Sequence, residues 1–443
     1  MIYSKSQQAL MEAMDGMQII DSHEHLLPEK CRTMYKPDIF ILFSHFIDLD
    51  LFSSGMDRDS FSTEPIYNVP KPMFRKLFDT NIPLEDRWNL FRPYWNNIRF
   101  GSYAKAVEHA VRIVYGINKI DDSTYYELSE KIRDANKPGL YKSVLQDKCN
   151  IKAVFSQIDS FVKLEHPLIP VMPGFMLCRI HSLSELKRIV QICKEDIPQT
   201  LDGYLSLIDR VIAMWATQGA VGIKITSIYN RPPDYPCARE QYDRLLAGEN
   251  VMDVPVTNSY GATFLMNIPK FNHLYNYLLH YMIDSAAKHH LTIAVHTGIW
   301  DDFREMDPKY LLNLAPEHPT ANFDLFHLGM PFIRDAIMIA KNYPNVFLNL
   351  CWSHIISPMQ TRSAIDEIID MVPMNKILAF GGDYKLQVEN IAGHLYMAKE
   401  NLAYSFAKRV DSGYMSLSEA LEILQQWFYS NPLSIYSRVK IPE

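Results

Sequence analysis

Short apolar runs punctuate the chain, and most of them stop at polar or small residues. The first is Met17-Gln18-Ile19-Ile20, followed by Ile151-Lys152-Ala153-Val154-Phe155, Leu168-Ile169-Pro170-Val171-Met172 and Ala220-Val221-Gly222-Ile223-Lys224-Ile225. Four more stand at 291–295, 323–326, 346–350 and 376–380, which makes eight. Most are separated by patterns whose apolar residues recur every three or four positions, such as PFIRDAIMIAKNY (331–343) and TRSAIDEIIDMV (361–372). The first pattern reads as strand and the second as amphipathic helix. Strand and helix alternating eight times predict an α/β fold of the (β/α)8, or TIM-barrel, type.

Two connections are too long for a simple crossover. Residues 28–150 separate the first run from the second, and the aromatic-rich stretch RWNLFRPYWNNIRFGSYAKAVEHAVRIVYG (87–116) reads as helices. This insertion leaves from the carboxyl end of the first strand, so it is expected to be mostly helical and to lie over the barrel mouth. Trp88, Trp95 and Phe100 are read as a satellite core within it. A smaller insertion, 227–275, follows the fourth strand and carries Arg231-Pro232-Pro233-Asp234. Near the end, 416–430 reads as a helix opened by a capping box from Ser416 to Glu419 and stopped at Asn431-Pro432. No linker composition divides the chain, so residues 1–443 are expected to form a single domain.

Composition narrows the classes. A net charge of -7 offers no basic footprint for nucleic acid or an anionic membrane surface. No apolar run reaches the roughly 20 residues that cross a bilayer, and the N-terminal segment lacks the order of a signal peptide. A cytoplasmic protein acting on a small molecule, without nucleic-acid or membrane partners and assembled as a homo-oligomer, is the expectation. The six cysteines are scattered with no CxxC pair, and they read as reduced thiols without a nucleophilic role.

Candidate chemistry sits at the carboxyl ends of the predicted strands, where barrel enzymes gather their active sites. The first strand runs into Asp21-Ser22-His23-Glu24-His25, and two histidines at i and i+2 would aim both rings at one point. Lys224 lies in the fourth strand. His296 ends the fifth in AVHTG, His327 ends the sixth in FHLG, and Asp383 follows the eighth in FGGD. Singly, each could be a hydrogen-bonded core or rim residue. Together they suggest a metal site.

On these residues the chain resembles the amidohydrolase superfamily, most closely the branch that includes small-molecule decarboxylases and uronate isomerases. That superfamily ends its first strand in HxH, matched by His23 and His25. It takes a histidine from each of the fifth and sixth strands, matched by His296 and His327, and an aspartate from the eighth, matched by Asp383. The resemblance runs from residue 17 to 436 and includes the closing Asn-Pro-x-x-x-Tyr, but it omits the stretch 28–150. A long insertion after the first strand is itself similar to the uronate isomerases, whereas the arginine-rich substrate signatures of that enzyme are not seen.

The resemblance implies a divalent ion held by His23, His25, His296 and Asp383. Zn²⁺ suits imidazoles plus a carboxylate, with Mn²⁺ the alternative if oxygen ligands dominate. In two-metal members a lysine on the fourth strand is carbamylated and bridges the ions; in one-metal members it stays free. One ion and a free Lys224 are expected. Asp383 would take the proton of a metal-activated water, and His327 or Lys224 would stabilise the oxyanion. Arg179, Tyr229, Arg231, Trp300, Trp352, His354, Tyr384 and Lys385 follow strands and are candidates for substrate contact, with Arg179, Tyr229, Arg231, Trp352 and His354 foremost. The expected activity is that of an amidohydrolase-type hydrolase cleaving an amide, lactone or ester of a small carboxylated substrate. The alternatives are non-oxidative decarboxylation or uronate isomerisation on the same ion, or a barrel whose metal is structural and whose surface binds a partner.

Overall fold

In a computed structural model, residues 3–56, 76–158, 163–180, 182–226, 228, 230–249, 255–257, 263–265, 272–299 and 303–441 are described. All eight apolar runs form strands of one parallel sheet. These are β1 Ile19–Glu24, β2 Ile151–Gln157, β3 Leu168–Met172, β4 Gly222–Ile225, β5 Thr292–Val295, β6 Phe323–Leu325, β7 Val346–Asn349 and β8 Ile377–Leu378. They lie side by side in chain order. Register is set by pairs such as Val154 with Leu168, Gly222 with Thr292 and Leu378 with Asn349. Three backbone bonds join the last strand region to the first, Ser22 N–H to Phe380 O at 3.0 Å, Asp383 N–H to His23 O at 2.9 Å and His25 N–H to Tyr384 O at 2.9 Å. The sheet is thus a nearly closed (β/α)8 barrel.

Alternation along the strands divides the apolar residues between two interfaces. Ile20, Phe155, Val171, Ala294, Phe326 and Leu378 pack together in one cluster with Tyr436. Their strand neighbours Ile19, Val154, Ile223, Ile293 and Phe323 instead join the cluster shared with the helices. The C-terminal segment seals the end where β4 and β5 begin. Thr292 donates to the Ile435 carbonyl at 2.7 Å, and the Tyr436 hydroxyl reaches Asp324 at 2.7 Å.

The tail corrects one expectation. The capping box at Ser416 and Glu419 is present. Asn431-Pro432, however, does not stop the helical run: a π turn, Gln426–Ser430, follows the Leu417–Gln425 helix, and Pro432 then opens a further helix, Asn431–Ile435. A proline is tolerated in a first turn because the N–H it lacks would have no intrahelical partner there.

The first insertion is helical, with Leu84–Ile98, Ser102–Tyr115 and Tyr125–Ala135 its main helices. Phe40, Phe43, Trp88, Phe91 and Trp95 form a core of their own, into which Leu386 inserts from the segment after β8. Phe100 does not join it. Its ring is 74% exposed, beneath the Arg99 guanidinium and the Lys105 ammonium. The Ser102–Tyr115 helix packs on the 24-residue helix Val388–Asp411, so closely at Gly393 that a Cβ there would lie 1.8 Å from the Ala106 carbonyl oxygen. The second insertion holds the helix Tyr235–Leu246 and a short antiparallel hairpin, Pro255–Thr257 with Thr263–Leu265.

Candidate metal centre

At the carboxyl end of the barrel the Nε2 atoms of His23 and His25 stand 3.1 and 3.2 Å from Asp383 Oδ1. Strand alternation alone does not achieve this, because the β1–β2 register slips between Asp21 and Glu24. The closing bond from Asp383 N–H to His23 O brings the aspartate to the two rings. His23 is buried, while the His25 side chain keeps 18% exposure and is the ligand candidate open to the mouth. Ligand atoms of a tetrahedral zinc ion lie about 3.3 Å apart, given bonds of about 2.0–2.1 Å, so these three residues fit such an ion. Burial alone would raise the Asp383 carboxyl, but the two histidines outweigh it and hold the group well below the carboxylate range.

A buried pair of carboxyls positions the aspartate. Asp21 and Glu24 are wholly buried and hydrogen-bonded to each other; burial raises Asp21 to about 7 and Glu24 well above its ordinary value, so the pair retains a proton. Glu24 accepts from Tyr384 N–H, and Asp21 from Gly382 N–H at 3.3 Å. Together they grip the Gly381-Gly382 turn. A Cβ on Gly382 would fall 2.0 Å from Glu24 Oε1, which explains glycine at that point.

His296 lies outside the three-residue cluster. Its Nδ1 is 3.2 Å from His327 Nε2, and His327 Nδ1 is 3.2 Å from the Cys351 carbonyl. Since Nδ1–H of His327 donates to that carbonyl, its Nε2 is an acceptor, and His296 must donate from Nδ1. Burial lowers both histidines, His296 to about 3. His327 Nε2 is 3.9 Å from Asp383 Oδ2. The Lys224 amine lies 3.4 Å from His23 Nε2 and 3.7 Å from the centre of the Phe326 ring. Burial lowers it to about 8, against the opposing pull of Asp383. Beneath, Asp324 accepts from Asn349 at 2.9 Å and from Tyr436.

Three of the residues that converge here have φ near +60°: His327 at 64°, Trp352 at 59° and Asp383 at 66°. Non-glycine residues held there cost about 1–3 kcal/mol each and cluster where function demands them.

The expected substrate residues are dispersed. Trp352 is buried, stacked on Phe46 at 4.4 Å and perpendicular to the His327 ring at 5.1 Å, and so forms a wall of the site. Arg179 is half-buried beyond β3, and Arg231 is exposed, its backbone held by Asn276. His354 does not line the mouth. It is buried, its Nε2–H donating to the Ala379 carbonyl at 2.9 Å and its Nδ1 facing the Asn401 amide, because the short helix Ser353–Ile356 turns it behind the sheet. Tyr384 is also buried; Tyr229 and Trp300 lie outside the described residues.

The insertion supplies residues that the strand pattern could not show. His45 donates from Nε2 to the Asp383 carbonyl at 2.8 Å. Asp48 is wholly buried with no side-chain hydrogen-bond partner among the described residues, and burial raises it to about 7. Tyr103 hydrogen-bonds Trp352. The available signal was weak: the polar residues of FSHFIDLD (43–50) within an apolar context.

An eight-stranded barrel with a His, His, Asp cluster at its carboxyl end defines a metal-dependent enzyme of the (β/α)8 class. The chain belongs to the amidohydrolase family, whose model matches residues 206–436. Among solved structures it is similar to a uronate isomerase from Thermotoga maritima, at 15% identity and TM-score 0.75, over 98% of each chain. It is equally similar to a glucuronate isomerase from Caulobacter crescentus, at 15% identity and TM-score 0.75, over 99% of this chain and 95% of that one. A uronate isomerase from Bacillus halodurans follows at 12% identity and TM-score 0.70, over 99% and 98%. At such identities the likeness is one of fold. Among curated proteins, protein fluG of Emericella nidulans is 25% identical over 152 residues, 32% of this chain. The chain spans only 17% of that relative's length. No helix among the described residues is long and apolar enough to cross a membrane.

Proposed function

We propose that the protein is a metal-dependent aldose-ketose isomerase acting on a uronate or a closely related sugar acid. This takes up the alternative to hydrolysis. The observation that carries it is the extent of the likeness to the two isomerases: it spans 98–99% of this chain and so includes the helical insertion as well as the barrel. That insertion brings His45, Asp48 and Tyr103 around Asp383 and Trp352. A polyhydroxylated substrate suits such a lining, because a buried carboxyl such as Asp48 gains partners from sugar hydroxyls.

The reading places one divalent ion, Zn²⁺ in first instance, on His23, His25 and Asp383, with His296 at its margin. One ion is favoured because His296 and His327 are engaged with each other and Lys224 rests on the Phe326 ring. When bound, the ion supplies Lewis-acid polarisation of the substrate carbonyl. The isomerisation moves one hydrogen from C2 to C1 and one proton from O2 to O1, with no electrons gained or lost overall. Asp383, ionised, is the base for the carbon-bound hydrogen, and once its proton has exchanged with solvent it delivers one to C1. Lys224, with its amine near 8, serves the oxygen proton, and the His327-His296 pair orients the oxygen. Arg179 is assigned to the substrate carboxylate, with Arg231 at the rim.

The test is incubation of the metal-loaded protein with glucuronate and galacturonate in D2O, followed by NMR. The expected result is ketose formation with solvent deuterium entering C1, and a fall in turnover of about 10²–10⁴-fold for Asp383→Asn. Cleavage of lactones or amides by a protein inert to uronates would restore hydrolysis as the reading; CO2 release would favour decarboxylation.

A further inference from the structure

A second pair of histidines lies away from the barrel mouth, where the helix His273–Lys288 meets the end of the helix Leu311–Glu317. His280 and His318 are each 4% exposed, with His280 Nδ1 2.9 Å from His318 Nε2. The outer nitrogen of each ring is already committed. His280 Nε2 lies 3.1 Å from the Arg231 carbonyl oxygen, and His318 Nδ1 lies 2.6 Å from the Asp284 carboxylate. Neither oxygen can donate, so both outer nitrogens carry the proton. In neutral rings the two inner nitrogens therefore present lone pairs to each other at contact distance. That arrangement is repulsive unless a cation stands between them. A carboxylate oxygen, Glu317 Oε2, completes the cluster 3.3 Å from His280 Nδ1.

From this geometry we infer a second divalent-metal site, a zinc site formed by His280 Nδ1, His318 Nε2 and Glu317. The three ligand atoms lie within 4.8 Å of one another, and the two separations from His280 Nδ1, 2.9 Å to His318 Nε2 and 3.3 Å to Glu317 Oε2, are close to the roughly 3.3 Å expected around tetrahedral zinc. The outer shell is that of a metal site too: each imidazole gives its far N–H to a carbonyl or a carboxylate, which fixes the tautomer that leaves the near nitrogen bare. The charge is also suited, since Glu317 and Asp284 flank the rings. Glu317 is 40% exposed, so a water can complete the coordination and an ion can enter. A third cluster, Asp234, Cys237 and His273, is less suited to a cation. It lies at the amino ends of two helices, and Asp234 is spent as a cap on Cys237 N–H at 3.0 Å.

The site would tie the helix before β5 to the helix before β6, and through the Arg231 carbonyl it would hold the loop after β4. It does not depend on the isomerase reading.

The experiment is the zinc content of the full-length protein after equilibration with buffered free Zn²⁺, alongside His318→Gln, Glu317→Gln, Asp284→Asn and the double variant His23→Ala, His25→Ala. The wild type is expected to hold two zinc ions per chain, and the double variant to keep one. His318→Gln should lose one ion and retain the other. Asp284→Asn should weaken the second ion about 10–100-fold. Glu317 is half exposed, so Glu317→Gln leaves folding intact and decides the matter if His318→Gln is unstable; it should weaken the second ion at least tenfold. The site is refuted if the wild type holds one zinc or none, if the double variant holds none, or if Glu317→Gln binds zinc as the wild type does. The His280-His318 contact would then be a shared proton.

Discussion

Gly382 and His354 show at the scale of one residue how the centre depends on its support. Gly382 leaves room for Glu24, and Glu24 in turn receives Tyr384 N–H beside Asp383. In Gly382→Ala the added methyl would overlap Glu24 Oε1, so either the glutamate or the turn must shift. We expect metal affinity and turnover each to fall by at least tenfold with the fold retained, as read by elemental analysis and circular dichroism. His354 acts on stability instead. Burial lowers its imidazole from 6.5 to about 4. A group depressed in the folded state contributes fully above its unfolded pKa, so the contribution is complete above about pH 6.5 and is lost as the pH falls through 4. By linkage this one ring accounts for about 3 kcal/mol between those limits. His354→Asn should make the acid limb of the stability curve shallower by one proton; an unchanged slope between pH 6.5 and 4 would contradict the assignment.

At the scale of elements, the question is how a helical insertion and the segment after β8 hold one another. Arg32 donates to Glu389 at 2.9 Å and to the Leu386 carbonyl, with both charged side chains fully buried. Tyr115 also reaches Glu389, Gln387 reaches Ser44, and Asn390 donates to the Leu42 carbonyl at 2.9 Å. These bonds fasten the insertion to the stretch that carries Asp383. Arg32→Met leaves Glu389 without its cation in the interior, and breaking such a pair costs about 3–5 kcal/mol. Arg334→Ala removes a partner of Glu367 on the surface, where the arginine is 84% exposed, and a pair of that kind is worth about 1 kcal/mol or less. Denaturant titration should separate the two variants by several-fold in stability change.

At the scale of the molecule, residues 28–150 are expected to behave as part of the barrel and to complete its mouth. Limited proteolysis should not release them as a stable fragment from a remainder that stays active. The metal carries the second expectation. Chelation should abolish turnover, and the double variant His23→Ala, His25→Ala should not recover it on metal addition. Full activity in that variant would remove the centre from the mechanism.

The eight strands were legible because each is a short apolar run, and burial on both faces leaves no other use for such runs. The residues at their carboxyl ends followed from the fold, since a barrel brings all such ends together. His23, His25 and Asp383 could therefore be grouped across 360 residues of chain, but together with His296, which the structure pairs with His327 instead. What the sequence by itself determined is periodicity, and with it the barrel, the insertions and the cluster. Contacts between residues far apart in the chain carry no period. His45 beneath the Asp383 carbonyl, the grip of Asp21 and Glu24 on the Gly381-Gly382 turn, and the facing nitrogens of His280 and His318 are visible only when separate elements are packed together. The same holds for His354, whose position after β7 suggested the mouth. A turn at Trp352 with φ of 59° sends the next residues behind the sheet, and only the tertiary structure decided that direction.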